Sequence, residues 1–373
     1  MSQSPVLFLA RGGDIDGQQR QVLYLATGLV RAGVPLTVAV SDPGRLHDEL
    51  LRRGVESRVA RMSPWRSLAH VATRYVDAQR LLHAARAGEA QIIHAHDVWR
   101  AEYARFIARR LAVPYVVHVR GPLSPRDIRK HQLGLGDGLI AIAQRYVDDL
   151  LQAGIDARRI ALIDDAVDLG LFDPGRSEPD YVRRNFGIES SLLVGIVGRM
   201  SAFKRICEFL DAVRALPPDV AASMRVVVAG DWDNADYRRE VEARVHRLGL
   251  AERVHFIGRC PSDLMPKLLS SLDVLVTMSG GSIMFEAMAM SRPVLSIRAD
   301  GRHSLHTRHG LNAWCVDDGD PNAAANALAH LLTHEDLRRK LGQAARQWVE
   351  RNLSSATMVA NVREFYATLT RPR

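Results

Sequence analysis

Residues 277–296, TMSGGSIMFEAMAMSRPVLS, decide how the rest of this 373-residue chain is read. The Gly280-Gly281 pair sits in small, polar company, which frees backbone N–H groups and suits the start of a helix. An amphipathic helical run follows over 283–290, with Glu286 as its one acid. Ser291-Arg292-Pro293 stops that helix, and Val294-Leu295-Ser296 reads as a short buried strand. A helix N-terminus after a glycine turn is a natural anion site, because its N–H groups are unpaired and the helix dipole favours negative charge. The anion expected here is a nucleotide or another phosphorylated sugar. Glu286, about one turn inside the helix, either accepts from a sugar hydroxyl or solvates one helix face.

The chain is long for one core, so two domains are expected. Hydrophobic residues make up 47% and charged residues 25%, the balance of a water-soluble protein. No apolar run approaches the ~20 residues that span a bilayer, and the N-terminus has no basic region before its apolar run. Three widely spaced cysteines, Cys207, Cys260 and Cys315, suit a reducing cytoplasm and give neither a disulfide framework nor a zinc site. The net charge of +8 is concentrated: residues 1–130 carry +9 and residues 131–373 carry −1. That asymmetry favours an anionic partner, a membrane surface or a phosphorylated acceptor. Nucleic acid is excluded as the expected partner, since no nucleic-acid module is recognisable and aromatics are only 6%. Residues 63–86, with Trp65, Arg66, Arg74 and Arg80, read either as an amphipathic helix at the inner membrane surface or as an ordinary solvated helix.

Short apolar runs alternate with helical patterns. Strands are expected at 6–10, 36–40, 91–96, 115–119 and 138–142, with helices at 18–32 and up to about 111. Residues 168–189, containing Pro174, Gly175 and Pro179, read as an irregular connection. Strands then recur at 192–197, 225–229, 254–257 and 274–278, and helices at 206–216, 236–248, 262–271, 322–332 and 335–352. This is the rhythm of doubly wound parallel sheets, whose ligands bind beyond the carboxyl ends of the strands. The expected domains are 1–175 and 190–355, with a helix over 356–373 returning to the first.

Arg199 and Lys204 flank a strand-to-helix turn, where a forked guanidinium and a point-charge ammonium can hold a diphosphate. The DxD-spaced Asp14-Ile15-Asp16 and Asp231-Trp232-Asp233 lack neighbouring ligands, so no metal is assigned to them. His94 and His96 are expected to face opposite sides of their strand, with His96 near the ligand and His94 packed. Gly12-Gly13 lacks the spacing of a dinucleotide fingerprint.

Gly198-Arg199, Lys204, Asp231, Val254-His255-Phe256-Ile257-Gly258 and Phe285-Glu286-Ala287-Met288-Ala289 occur in an order that resembles the retaining GT-B glycosyltransferases of family 4. Gly17 with the helix after it, Ile93-His94-Ala95-His96, and Asp165-Ala166-Val167-Asp168 through Phe172 are similar to the N-terminal motifs of that family. The resemblance covers about residues 5–370. It implies an α/β GT-B fold, two Rossmann-like doubly wound domains facing across a cleft. It also implies transfer from a nucleoside-diphosphate sugar to a glycan or lipid-linked acceptor, in cell-surface polysaccharide or lipopolysaccharide synthesis, with retention and without a metal or other cofactor. A sugar-nucleotide epimerase or hydrolase, and a non-catalytic binding partner, are the rival readings.

By this resemblance Arg199 and Lys204 neutralise the departing diphosphate, and Gly17 lets its loop approach the diphosphate and sugar. Glu286 accepts from the ribose, the amides around Ser282 and Ile283 hold phosphate oxygens, and Arg259-Cys260 line the base pocket. His96 and Arg120 fall near the reacting centre. Three positions depart from the family pattern. Met278 replaces a Glu eight residues before Glu286, Arg120 replaces the His of T-x-H-G, and Asp165-Ala166 replaces Asn-Gly.

Overall fold

The computed structural model describes residues 4–15, 17–189, 192–298, 305–317 and 320–370. The chain divides into two compact units: residues 1–166 with 355–373, and residues 167–354.

Unit 1 holds seven parallel strands: β1 (Val6–Ala10), β2 (Leu36–Val40), β3 (Glu56–Val59), β4 (Ile92–Ala95), β5 (Tyr115–Val119), β6 (Gly138–Ala141) and β7 (Ile160–Leu162). Their order is β3-β2-β1-β4-β5-β6-β7. The central strands are mostly apolar because helices cover both faces of the sheet, with His94 in β4 and His118 in β5 as the exceptions, and Phe8, Val38, Ile93 and Val117 are wholly buried. The helix Ser355–Thr370 packs on the helix Gly17–Arg31, and Val359 lies where a Cβ on Gly28 would stand, only 2.3 Å away.

Unit 2 holds β8 (Leu192–Val197), β9 (Met224–Ala229), β10 (Val254–Gly258), β11 (Val274–Thr277), β12 (Val294–Ile297) and β13 (Trp314–Val316), all parallel, in the order β10-β9-β8-β11-β12-β13. In each unit the chain reverses its winding direction once, between β1 and β4 and between β8 and β11. Strand-end loops diverge at that point and leave a crevice.

Residues 168–189 are not the irregular connection expected from their prolines and glycines. They belong to unit 2, where Phe172, Val182 and Ile188 are buried in its core. A helix, Tyr181–Phe186, packs on the helix Met265–Ser271, and Ser271 Oγ accepts from the Val182 amide at 3.1 Å. Among the described residues no helix is long and apolar enough to cross a membrane.

Candidate functional site

Gly198, Lys204 and the Gly280-Gly281 pair come together where β8 and β11 diverge, whereas Arg259 and Cys260 follow the edge strand β10. Gly198 follows β8 with φ 126°, and Gly280 and Gly281 follow β11 with φ 70° and 107°. Gly230, after β9, shows why glycine is required: a Cβ there would lie 1.8 Å from the Gly198 carbonyl oxygen. Backbone bonds then lock these exits, Gly198 N–H to Ala229 O at 2.9 Å and Met200 N–H to Asp231 O at 2.8 Å.

Lys204 ends a short 3-10 turn, Ala202–Lys204, and its ammonium lies 3.4 Å from the Cβ position of Gly198 and 4.0 Å from that of Gly281. Gly281 is the N-cap of the helix Ser282–Ala289, and no side chain caps that end. The amides at Ser282 and Ile283 and the ammonium of Lys204 therefore stand together, two sources of positive potential. Burial alone pushes the Lys204 ammonium below its usual lysine value. Lys204 is half-buried, and among the described residues no acid forms an ion pair with it.

Glu286 is buried about one turn along this helix, which sets aside the reading of it as a solvated helix face. Met278 is buried in the hydrophobic core with Val276 and Leu295, so it offers no acceptor to a sugar hydroxyl. Its neighbour Ser279 was not singled out in the sequence; its Oγ is buried without a hydrogen-bond partner.

Arg199 and Arg259 are placed differently from Lys204. The Arg199 side chain is 76% exposed and meets Asp233 at 3.4 Å, and that of Arg259 is 64% exposed and meets Asp231 at 3.7 Å. Both acids of the Asp231-Trp232-Asp233 triplet thus face arginines. The other triplet includes Asp16, which lies outside the described residues. Cys260 is half-buried, its thiol pushed up to about 11 by burial and by Asp263, so it is protonated at neutral pH.

In unit 1 the corresponding residues are packed and mutually bonded. His94 and His96 do not face opposite sides of β4. Residues two apart on a strand share a face, and the two rings lie 6.5 Å apart, both against Phe8. His94 Nε2 meets His118 Nδ1 at 3.0 Å, and His94 Nδ1 meets the Tyr366 hydroxyl at 2.5 Å. Burial first, then Arg120, pushes His94 down to about 3. His96 and His118 are likewise held well below the ordinary imidazole value, burial being the largest cause for each. All three rings are neutral at pH 7. His96 is fully buried, beneath Arg120, whose Nη1 donates to His96 Nε2 at 3.3 Å. Among the described residues no group of three or more His, Cys, Asp or Glu is arranged to hold a metal ion.

Gly17 opens the helix Gly17–Arg31, with nothing within 4 Å of its Cβ position. Beside it, Asp97 at the end of β4 accepts from Arg100 Nη1 at 2.6 Å and Gln18 Nε2 at 3.3 Å through Oδ2, while its buried Oδ1 has no partner. Sequence reasoning missed Asp97, although it directly follows His96.

The stretch 63–86 is only partly the helix expected of it. The helix spans Val71–Ala87, Arg66 pairs with Glu102 at 2.9 Å, and Arg74 bonds the Trp65 carbonyl, so these side chains serve the fold. Leu68, Val71, Tyr75 and Val76 are the large apolar residues left exposed there.

The family Glycosyl transferases group 1 matches residues 180–348, and Glycosyltransferase Family 4 matches residues 15–171. The chain is 25% identical to a D-inositol 3-phosphate glycosyltransferase of Corynebacterium efficiens, covering 96% of this chain and 92% of that one. It is 28% identical to a 2-deoxystreptamine N-acetyl-D-glucosaminyltransferase of Streptomyces fradiae, covering 89% of this chain and 86% of the relative. In fold it is similar to Anabaena HepE, crystallised with UDP and glucose, at a TM-score of 0.82 and 20% identity over 98% of this chain and 100% of that one. Two matching family descriptions, in order and together spanning most of the chain, place it among the glycosyltransferases of family 4 with the GT-B fold.

Proposed function

We propose that this glycosyltransferase takes its sugar from a nucleoside-diphosphate donor held by unit 2 and transfers it, with retention, to a hydroxyl of a glycan or lipid-linked acceptor. The observation that carries this reading is the half-buried Lys204 ammonium, 4.0 Å from the Cβ position of Gly281 and with no acid paired to it among the described residues, beside the uncapped N-terminus of the helix Ser282–Ala289. In the proposed reaction the bond from the anomeric carbon to the diphosphate oxygen breaks, and its electron pair leaves with the diphosphate. Lys204 and the amides of Ser282 and Ile283 stabilise that charge as it develops, an oxyanion-type contribution that needs no proton transfer. Glu286 accepts from ribose hydroxyls and Ser279 Oγ bonds the sugar or phosphate, while Arg259 and Cys260 border the base. The acceptor oxygen joins the anomeric carbon from the side the diphosphate leaves, and its proton passes to the departing phosphate oxygen. No carboxylate among the singled-out residues is placed as a nucleophile, which favours this front-face route over a covalent intermediate.

HepE was crystallised with UDP and glucose, which makes uridine the first base to test. The named relatives act on inositol phosphate and on 2-deoxystreptamine, so cyclic polyols belong beside lipid-linked glycans in the acceptor screen. The basic first third and the exposed Leu68, Val71, Tyr75 and Val76 support work at an anionic membrane surface. Calorimetry with UDP, GDP and dTDP, followed by anomer-resolved product analysis, tests the proposal. Binding of none of the three removes the donor site, and an inverted product removes retention. The buried Met278 favours one rival, a nucleotide-sugar-binding partner without turnover. Tight nucleotide binding with no transfer to any acceptor class would establish that rival instead.

A further inference from the structure

Two of the three positions at which this chain departs from its family meet in unit 1. Arg120, where the family has His, and Asp165, where it has Asn, form an ion pair: Arg120 Nη2 donates to Asp165 Oδ1 at 2.5 Å. The side chains are only 10% and 17% exposed, so the pair is close to dry. Removing one partner of such a pair strands the other charge in poorly solvated surroundings.

We infer that Asp165 is a positioning residue that fixes the guanidinium of Arg120 at the carboxyl end of β5, so that the two departures form one functional element. The inference rests on the proposed transferase reading together with the family resemblance, which implies that Arg120 falls near the reacting centre.

Three further observations support it. Arg120 is held from a second side by His96, whose Nε2 accepts from Nη1 at 3.3 Å. His96 can accept there only while that nitrogen carries no proton, and its burial keeps it so. The carboxylate is itself anchored, because Gln21 clamps the next residue on both sides. Gln21 Nε2 donates to the Ala166 carbonyl at 2.9 Å, and the Ala166 amide donates to Gln21 Oε1 at 2.9 Å. Finally, the pair uses the rigid fork of an arginine. Two of the five guanidinium N–H groups are spent on Asp165 and His96, and the remaining donors have a fixed direction in which to meet a substrate oxygen. A lysine would keep the charge and lose the direction.

The test compares Asp165→Asn, Arg120→His and the double variant, which restores the family's His and Asn. Turnover, acceptor KM and the nucleotide Kd are measured for each, together with 15N guanidinium spectra of Arg120. Asp165→Asn is expected to lower kcat about 10- to 100-fold, the cost of misaligning one charge-assisted hydrogen bond that Arg120 makes in the transition state. The nucleotide Kd should stay within about twofold, because residues acting as a unit are non-additive and unit 2 keeps its own contacts. The double variant should lose far less than the product of the two single losses. The Arg120 N–H resonances, slowly rotating in the wild type, should average in Asp165→Asn. Independent, multiplicative losses, or a guanidinium equally restrained without Asp165, overturn the inference. If the wild type binds nucleotide but transfers nothing, the transferase reading fails and the spectra still decide whether Asp165 positions Arg120.

Discussion

The carboxyl ends of the two sheets solve opposite electrostatic problems. In unit 2 a half-buried cation, Lys204, has no acid paired to it among the described residues and stands beside an uncapped helix end. In unit 1 nearly every charge is already satisfied: Arg120 by Asp165, Arg100 by Asp97, and the histidines by neutrality. Partly desolvating a charge without a partner costs stability, which makes such a position a candidate for a ligand of opposite charge. A paired, dry network instead holds groups in place. Similar parallel sheets thus carry the proposed anion receptor in one unit and a pre-paired frame in the other.

The largest effect that separates them is acid sensitivity. His94, His96 and His118 have native pKa values below the unfolded value of about 6.5, so below that pH the unfolded chain binds protons that the native unit 1 does not. Stability is therefore full above about pH 6.5 and falls as pH drops, by about 1.4 kcal/mol per pH unit per histidine, or about 4 kcal/mol for three. Urea melts at pH 7, 6 and 5 follow this, in one variant keeping only Trp65 and Trp99 and in another keeping only the tryptophans of unit 2. Equal acid sensitivity in both units would break the comparison.

Next in size is the glycine frame of unit 2. Gly230→Ala puts a Cβ 1.8 Å from the Gly198 carbonyl oxygen at φ 154°. It should destabilise by about 3 kcal/mol or more, the cost of overpacking combined with backbone strain. Gly17→Ala in unit 1 meets nothing within 4 Å. That change should stay under about 1 kcal/mol. Thermal melts of the two variants decide whether the unit 2 exits are as tightly built as their backbone contacts indicate.

How much of this was legible in the sequence follows the same physics. The central strands were readable because a parallel strand covered on both faces is an apolar run, as in Val6–Ala10 or Val274–Thr277. The three strands that escaped, Glu56–Val59, Ile160–Leu162 and Trp314–Val316, are all sheet edges and partly exposed; the first is largely polar, and the other two are apolar but only three residues long. The proximity of Lys204 to Gly281 was readable because Gly280-Gly281 and Lys204 follow neighbouring strands at short spacing. Asp97 and Ser279 were not, because what marks each is an oxygen buried without a partner, which only the fold sets; nor was the partnership of Asp165 with Arg120, 45 residues apart. The orientation of His94 and His96 was legible from strand periodicity and is the reverse of the one first assigned.

Lys204 and Arg199, equivalent by motif, are not equivalent in the fold, and they supply the two finest tests. Lys204→Ala should weaken nucleoside-diphosphate binding by about 1.5–3 kcal/mol, the range of a charge-assisted bond. Because burial lowers its pKa, the wild-type affinity should also begin to fall at a pH below the ordinary lysine range, as the free site sheds the proton that the bound anion needs. Arg199, 76% exposed and loosely set against Asp233, starts from water. Its removal should therefore cost only about 0–1 kcal/mol unless the arginine is drawn out of solvent by the ligand. Calorimetry on Arg199→Ala at two salt concentrations separates these cases. A small, salt-screened loss leaves Lys204 and the helix end as the principal anion contacts. A loss as large as that of Lys204, unchanged by salt, would mean that Arg199 closes onto the diphosphate and that the unit 2 site is completed only when its ligand arrives.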